Sequence, residues 1–117
     1  MRDSPLEEAR QSWNLLAEDW RIQVGRDGDS NRRLNSDSVL WELAGDVCGL
    51  AVLDAGCGTG YLSGKLRDKG ARVTGVDFAG RMIEIARADH PGINFLVGSC
   101  TELATCQDGQ FDLVVAN

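Results

Sequence analysis

From Val52 to Gly60 the sequence reads VLDAGCGTG, an apolar run carrying one carboxylate, Asp54, followed by glycine at every second position. Glycine accepts positive φ and has no Cβ, so Gly56, Gly58 and Gly60 let a flat or extended ligand lie against bare backbone after a buried strand. A ligand-free tight turn has no need of three alternate glycines. A phosphate-binding loop, G-x-x-x-x-G-K-[ST], fails because Thr59 stands five before Gly64 and Leu66 follows Lys65. The dinucleotide pattern G-x-G-x-x-G fails from Gly56, where Tyr61 takes the last glycine's place. From Gly58 it fails as well, since Gly60 is followed by Tyr61, Leu62 and Ser63. Asp54 would also repel a pyrophosphate and attract a cation.

The elements that must hold this turn follow from periodicity. Short apolar runs predict strands at Ala51 to Asp54, Arg72 to Val76, Ile93 to Val97 and Phe111 to Ala116. Helical patterns between them predict helices from Tyr61 to Lys69, ended by Gly70, and from Gly80 to Ala88, ended before Pro91, with a short turn or helix from Thr101. Strand, helix, strand alternation implies an α/β parallel sheet. Ahead of it, Ser4, Pro5 and Glu7 write a helix start, and Leu6, Ala9, Trp13, Leu16, Ala17, Trp20 and Val24 give that helix one apolar face. A polar hinge runs from Gly25 to Ser36. A second helix is expected from Asp37 to Val47, with Leu40, Leu43, Ala44 and Val47 as its buried stripe.

Composition narrows the partners. The chain has 117 residues, 43% of them hydrophobic, enough for one core, and a formal charge of -6 that opposes nucleic acid. It has no run of about 18 apolar residues, and its polar, acidic start is unlike a signal peptide, so no membrane partner and a cytoplasmic location are expected. The four cysteines, Cys48, Cys57, Cys100 and Cys106, contain no C-x-x-C, and the single histidine, His90, sits in a turn-like DHPG. They read as reduced structural thiols and a solvated histidine, with no metal site.

The pattern D-x-G-x-G-x-G within VLDAGCGTGYLS resembles motif I of class I S-adenosylmethionine-dependent methyltransferases, and VTGVDFAGRMIEIAR and FDLVVAN resemble the next family blocks in order and spacing. The resemblance covers about Leu50 to Asn117. It implies a Rossmann-like three-layer sandwich with strand order 3-2-1-4, in which residues 37–117 bind S-adenosyl-L-methionine and residues 1–36 form an N-terminal helix and hinge, a lid that Trp13 or Trp20 would carry over the ligand. The sulfonium and ammonium of that cofactor suit an acidic mouth. By the same resemblance Asp54 faces the methionine amino end, the backbone of Ala55, Gly56, Cys57, Gly58 and Gly60 lines the ligand, and Asp77 accepts from the ribose hydroxyls while contributing little to folding. Phe78 and Met82 would flank the adenine, Ser99 and Cys100 stand where an aspartate commonly receives the adenine amino group, and Asn117 lies near the methionine or the acceptor. The implied activity is methyl transfer to a small-molecule acceptor, with no identifiable general base. The family's sheet has seven strands and four are present, so the cofactor-binding half is expected. Two alternatives stand beside it: a non-catalytic binding module that dimerises through the fourth strand or the N-terminal helix, and a nucleotide-dependent oxidoreductase, which Asp54 and Tyr61 disfavour.

Overall fold

The computed structural model describes residues 4–25, 28, 37–99 and 109–116. Helices α1 (Pro5–Val24) and α2 (Asp37–Ala44) precede β1 (Ala51–Ala55), α3 (Tyr61–Asp68), β2 (Arg72–Asp77), α4 (Gly80–Asp89), β3 (Asn94–Val97) and β4 (Leu113–Ala116). All strand pairs are parallel, and the sheet order is β3-β2-β1-β4, as expected for a Rossmann-like α/β fold. The expected hinge, the turn at Thr101, Cys100, Cys106 and Asn117 lie wholly or largely outside the described residues.

Register decides which side chains meet the helices. Val52, Asp54, Val115, Gly75 and Phe95 fall on one face of the sheet through the pairs Asp54↔Gly75, Asp54↔Val115 and Gly75↔Phe95 and the alternation along β1. Helix α3 covers part of that face, Leu62 and Leu66 packing with Val52 and Val115, while α4 covers the rest, Ile83 and Ala86 packing with Phe95 and Cys57. Asp54 is therefore carried on the covered face of a central strand, under α3.

Several boundaries move for identifiable reasons. Strand β4 begins at Leu113 rather than Phe111 because Asp112 stops the ladder: its amide donates to Ala51 O at 2.8 Å, and its Oδ2 accepts from Ala51 N at 2.9 Å. Helix α2 stops at Ala44, where Gly45 takes φ 69° and donates to Trp41 O. Val47 still enters the core from the following segment. The α2 stripe is Leu40, Trp41 and Ala44, and Leu43 is 83% exposed, since at about 100° per residue it falls on the opposite side of Leu40 from Trp41. Along α1 the covered line is Ala17 and Val24 with Trp20 half-buried, while Leu6, Trp13 and Leu16 are exposed at its margins.

Helix α1 lies on α4 and is fastened there by polar contacts. Ala17 packs with Ala79, Met82 and Ile85. Arg21 grips Asp89 with two bonds of 2.8 Å, Arg10 Nε donates to Phe78 O at 3.2 Å, and Asn14 Oδ1 accepts from Arg81 N at 2.9 Å. Helix α4 has no side-chain cap of its own at Ala79, so Asn14 satisfies one of its first-turn amides from a different helix.

Candidate functional site

A crevice opens at the carboxyl ends of β1 and β2, where ligands bind in open parallel sheets. Its floor is the glycine turn. Gly56, Gly58 and Gly60 have φ of 70°, 55° and 92°, values that favour glycine. Gly56 N and Cys57 N both donate to Val76 O, at 2.8 and 3.0 Å, which ties the turn to β2. A Cβ on Gly56 would meet nothing within 4 Å, and one on Gly58 only Trp20 Nε1 at 3.8 Å. The backbone there is bare toward open space, as the spacing predicts.

Asp54 is 2% exposed and accepts a 2.7 Å hydrogen bond from Ser63 Oγ on α3. Burial pushes its carboxyl up to about 6, opposed by the Ser63 hydroxyl and reinforced by the charge of Asp77. Asp77 is also buried. Its Oδ2 accepts from Gly58 N at 3.0 Å and its Oδ1 from Ala79 N at 2.9 Å, so one carboxylate holds the glycine turn to the start of α4. This corrects the expectation that Asp77 contributes little to folding. Each oxygen keeps a second lone pair for a ligand.

The roof is aromatic. Trp13 and Trp20 meet edge to face with centroids 5.7 Å apart, and Arg10 lies 5.9 Å over the Phe78 ring. Together floor and roof enclose a cavity of about 280 Å³ lined by Trp13, Trp20, Val24, Asp54, Gly56, Cys57, Gly58, Thr59, Tyr61, Leu62, Asp77, Phe78 and Met82. The expected residues Asp54, Gly56, Cys57, Gly58, Asp77, Phe78 and Met82 thus share one cavity. Ala55, Gly60 and Ser99 do not line it, and Cys100 and Asn117 lie outside the described residues. Sequence reasoning missed Thr59, Tyr61 and Leu62, which follow from the turn itself, since the residues flanking its last glycine must face the same opening. Val24 was expected only as packing.

The donor set fits a cationic ligand without phosphate. Among the described residues neither Asp54 nor Asp77 forms an ion pair, and no basic side chain lines the cavity. Cys57 is a buried thiol in no disulfide, directed to Gly58 O at 3.6 Å, and Cys48 is free and exposed. His90 is not the solvated residue expected. A Cβ on Gly60 or Gly64 would lie 2.8 or 2.7 Å from its ring, which is wedged between the glycine turn and α3, and burial and Arg67 lower its affinity for a proton. It lies outside this cavity and within a second one with Arg21, Lys65 and Arg67. Among the described residues no helix is long and apolar enough to cross a membrane.

A family model described as a methyltransferase domain matches residues 52–117. The chain is 43% identical over 79 residues to the ubiquinone biosynthesis O-methyltransferase of Bordetella avium, which covers 64% of this chain and 33% of that protein. It is 40% identical over 83 residues to the magnesium-protoporphyrin O-methyltransferase of Rhodobacter capsulatus, 67% of this chain and 36% of that one. Magnesium protoporphyrin IX methyltransferase from Synechocystis, solved with bound SAM, aligns with a TM-score of 0.75 at 28% identity, over 98% of this chain and 62% of that chain. The chain spans about a third of the length of these curated relatives.

Proposed function

The chain belongs to the class I S-adenosylmethionine-dependent methyltransferases, and from that premise we propose that its crevice binds S-adenosylmethionine for methyl transfer to a small-molecule acceptor. One observation carries this: two buried carboxylates, Asp54 and Asp77, stand beside a cradle of bare glycine backbone without a cationic partner among the described residues. When bound, the cofactor supplies a methyl group activated on a sulfonium sulfur.

The chain's own residues then bind, orient and exclude water. Asp54 takes a proton donor of the amino end, and Asp77 accepts from the ribose hydroxyls while holding the Gly58 amide. Phe78 and Met82 flank the adenine. Ser99 stands just past β3, next to Gly98, whose amide donates to Asp77 O at 2.9 Å, and completes the adenine end with Cys100. Trp13 and Trp20 close the roof and keep water from the reacting centre, where alignment of methyl and nucleophile provides most of the rate. Asn117 is assigned to the methionine or acceptor side. The relatives' names speak of ubiquinone biosynthesis and magnesium protoporphyrin, so we assign this chain an O-methyltransferase's small-molecule acceptor.

Isothermal titration with S-adenosylhomocysteine and with NAD tests the reading. Binding of the first and none of the second is expected. Binding of NAD alone would transfer the crevice to a nicotinamide enzyme. A second reading, self-association, is favoured by β4, which borders the sheet with Val114 59% exposed.

A further inference from the structure

Ser63 lies in the first turn of α3, fully buried, and does not line the cavity. Its hydroxyl donates to Oδ2 of Asp54 at 2.7 Å. The helix that carries it is held from two sides. Leu62 and Leu66 pack with Val52 and Val115 of the sheet, and a Cβ on Gly64, the residue after Ser63, would lie 2.7 Å from the His90 ring. Packed on both sides, α3 keeps the hydroxyl on the carboxylate.

An ionised carboxylate only accepts, so a hydroxyl donating to Oδ2 favours charge on Asp54, against the burial that favours the neutral acid. The backbone amide of Ser63 acts in the same direction, at a helix start whose N-cap, Gly60, has no side chain to offer. Among the described residues, the titratable side chains that share the cavity with Asp54 are Asp77 at the end of β2, Cys57 of the glycine turn and Tyr61 at the start of α3. Helices α1 and α4 line it with uncharged side chains, and β4 sets Val115 opposite Asp54. The charge of Asp77 opposes ionisation of Asp54, and no basic side chain lining the cavity offsets it, which leaves Ser63 as the support for that charge.

We propose that Ser63 is a positioning residue for cofactor binding: by donating to Asp54 it keeps that carboxylate charged at neutral pH, and so sets the pH above which the crevice takes a cationic amino group. The inference rests on the cofactor reading above. Removing the hydroxyl leaves the glycine cradle, Asp77 and the aromatic roof in place, so the affinity it costs returns when the pH is raised.

The test compares the 117-residue chain with its Ser63→Ala, Ser63→Cys and Ser63→Thr variants from about pH 5 to about pH 9. Calorimetric titration with S-adenosylhomocysteine gives the affinity, and the NMR shift of the Asp54 carboxyl carbon in the ligand-free chain gives its titration midpoint. Ser63→Ala is expected to raise the midpoint by about one to two pH units and to weaken S-adenosylhomocysteine about two- to tenfold at about pH 7, a loss that closes toward about pH 9. Ser63→Cys keeps a side chain of similar size with a weaker donor and shows the same pattern in smaller measure. Ser63→Thr restores midpoint and affinity, because its hydroxyl still donates. An equal loss at both ends of the pH range, or a midpoint unmoved in Ser63→Ala, overturns the inference and leaves the cofactor reading intact. If the unsubstituted chain binds no S-adenosylhomocysteine at any pH, the cofactor reading fails and the role of Ser63 in binding falls with it. Should Ser63→Ala not fold, Ser63→Cys is read by the same criteria.

Discussion

Cofactor binding in this crevice is expected to release a proton below neutral pH, and the proton comes from Asp54. Burial raises its carboxyl from 3.8 to about 6, so the folded chain holds that proton more tightly than the unfolded one. The sign follows: with ligand absent, Asp54 favours the fold below about pH 4, and this contribution is lost as pH rises toward 6. The loss amounts to about 3 kcal/mol, from about 1.4 kcal/mol per unit over roughly two units. A cationic ligand reverses the balance by favouring the carboxylate. If only the ionised form binds well, affinity at about pH 5 is roughly tenfold below its value at about pH 7, because a group of pKa about 6 is then roughly one-tenth ionised. Calorimetry of S-adenosylhomocysteine in buffers of different ionisation enthalpy measures both the affinity and the protons released. Asp54→Asn should remove the pH slope, weaken binding near pH 7, and raise the melting temperature there by removing a buried charge. A flat affinity profile in the unsubstituted chain, or the same slope in Asp54→Asn, would refute the assignment of the amino end to Asp54.

Asp77→Ala is expected to weaken S-adenosylhomocysteine and also to lower stability by about 2 to 4 kcal/mol, because two backbone amides lose a charged acceptor; melts followed by circular dichroism together with titration read both losses, and an unchanged melting temperature would remove its role as a clasp. Gly58→Ala places a side chain at φ 55°, which costs about 1 to 2 kcal/mol of fold stability. Its Cβ would also intrude on the ligand face, so binding should fall by more than stability alone explains. The 117-residue chain should dimerise at high concentration through β4, and Val114→Lys should return it to monomer; a monomer by light scattering before substitution would count against that edge.

Much of the fold was legible because the sheet is central and its strands are near-continuous apolar runs, so Val52, Leu53 and Val76 announce both their state and their burial. The glycine turn and Asp54 were legible for a different reason, since three alternate glycines after such a strand have few other uses. What could not be read were partnerships across distance. Asp77 clasps amides 19 and 2 residues away, and nothing in its spacing distinguishes that from a ligand contact. His90 looked like a turn residue, yet its ring fills the space left by two glycines on α3 and its approach. Trp41 replaced Leu43 in the α2 stripe because the helix ends a turn early and its buried face is set by what it meets.

The cap that α1 supplies to α4 ties two events into one. Raising α1 from the crevice would withdraw Asn14 from the Arg81 amide at the same moment that Trp13 and Trp20 leave the roof. The first turn of α4, which carries Met82, would then lose a terminal partner whenever the crevice is exposed to solvent. Exchange of the Arg81 amide with deuterium is thus a built-in clock for the opening of the roof, slowed by whatever ligand keeps α1 down.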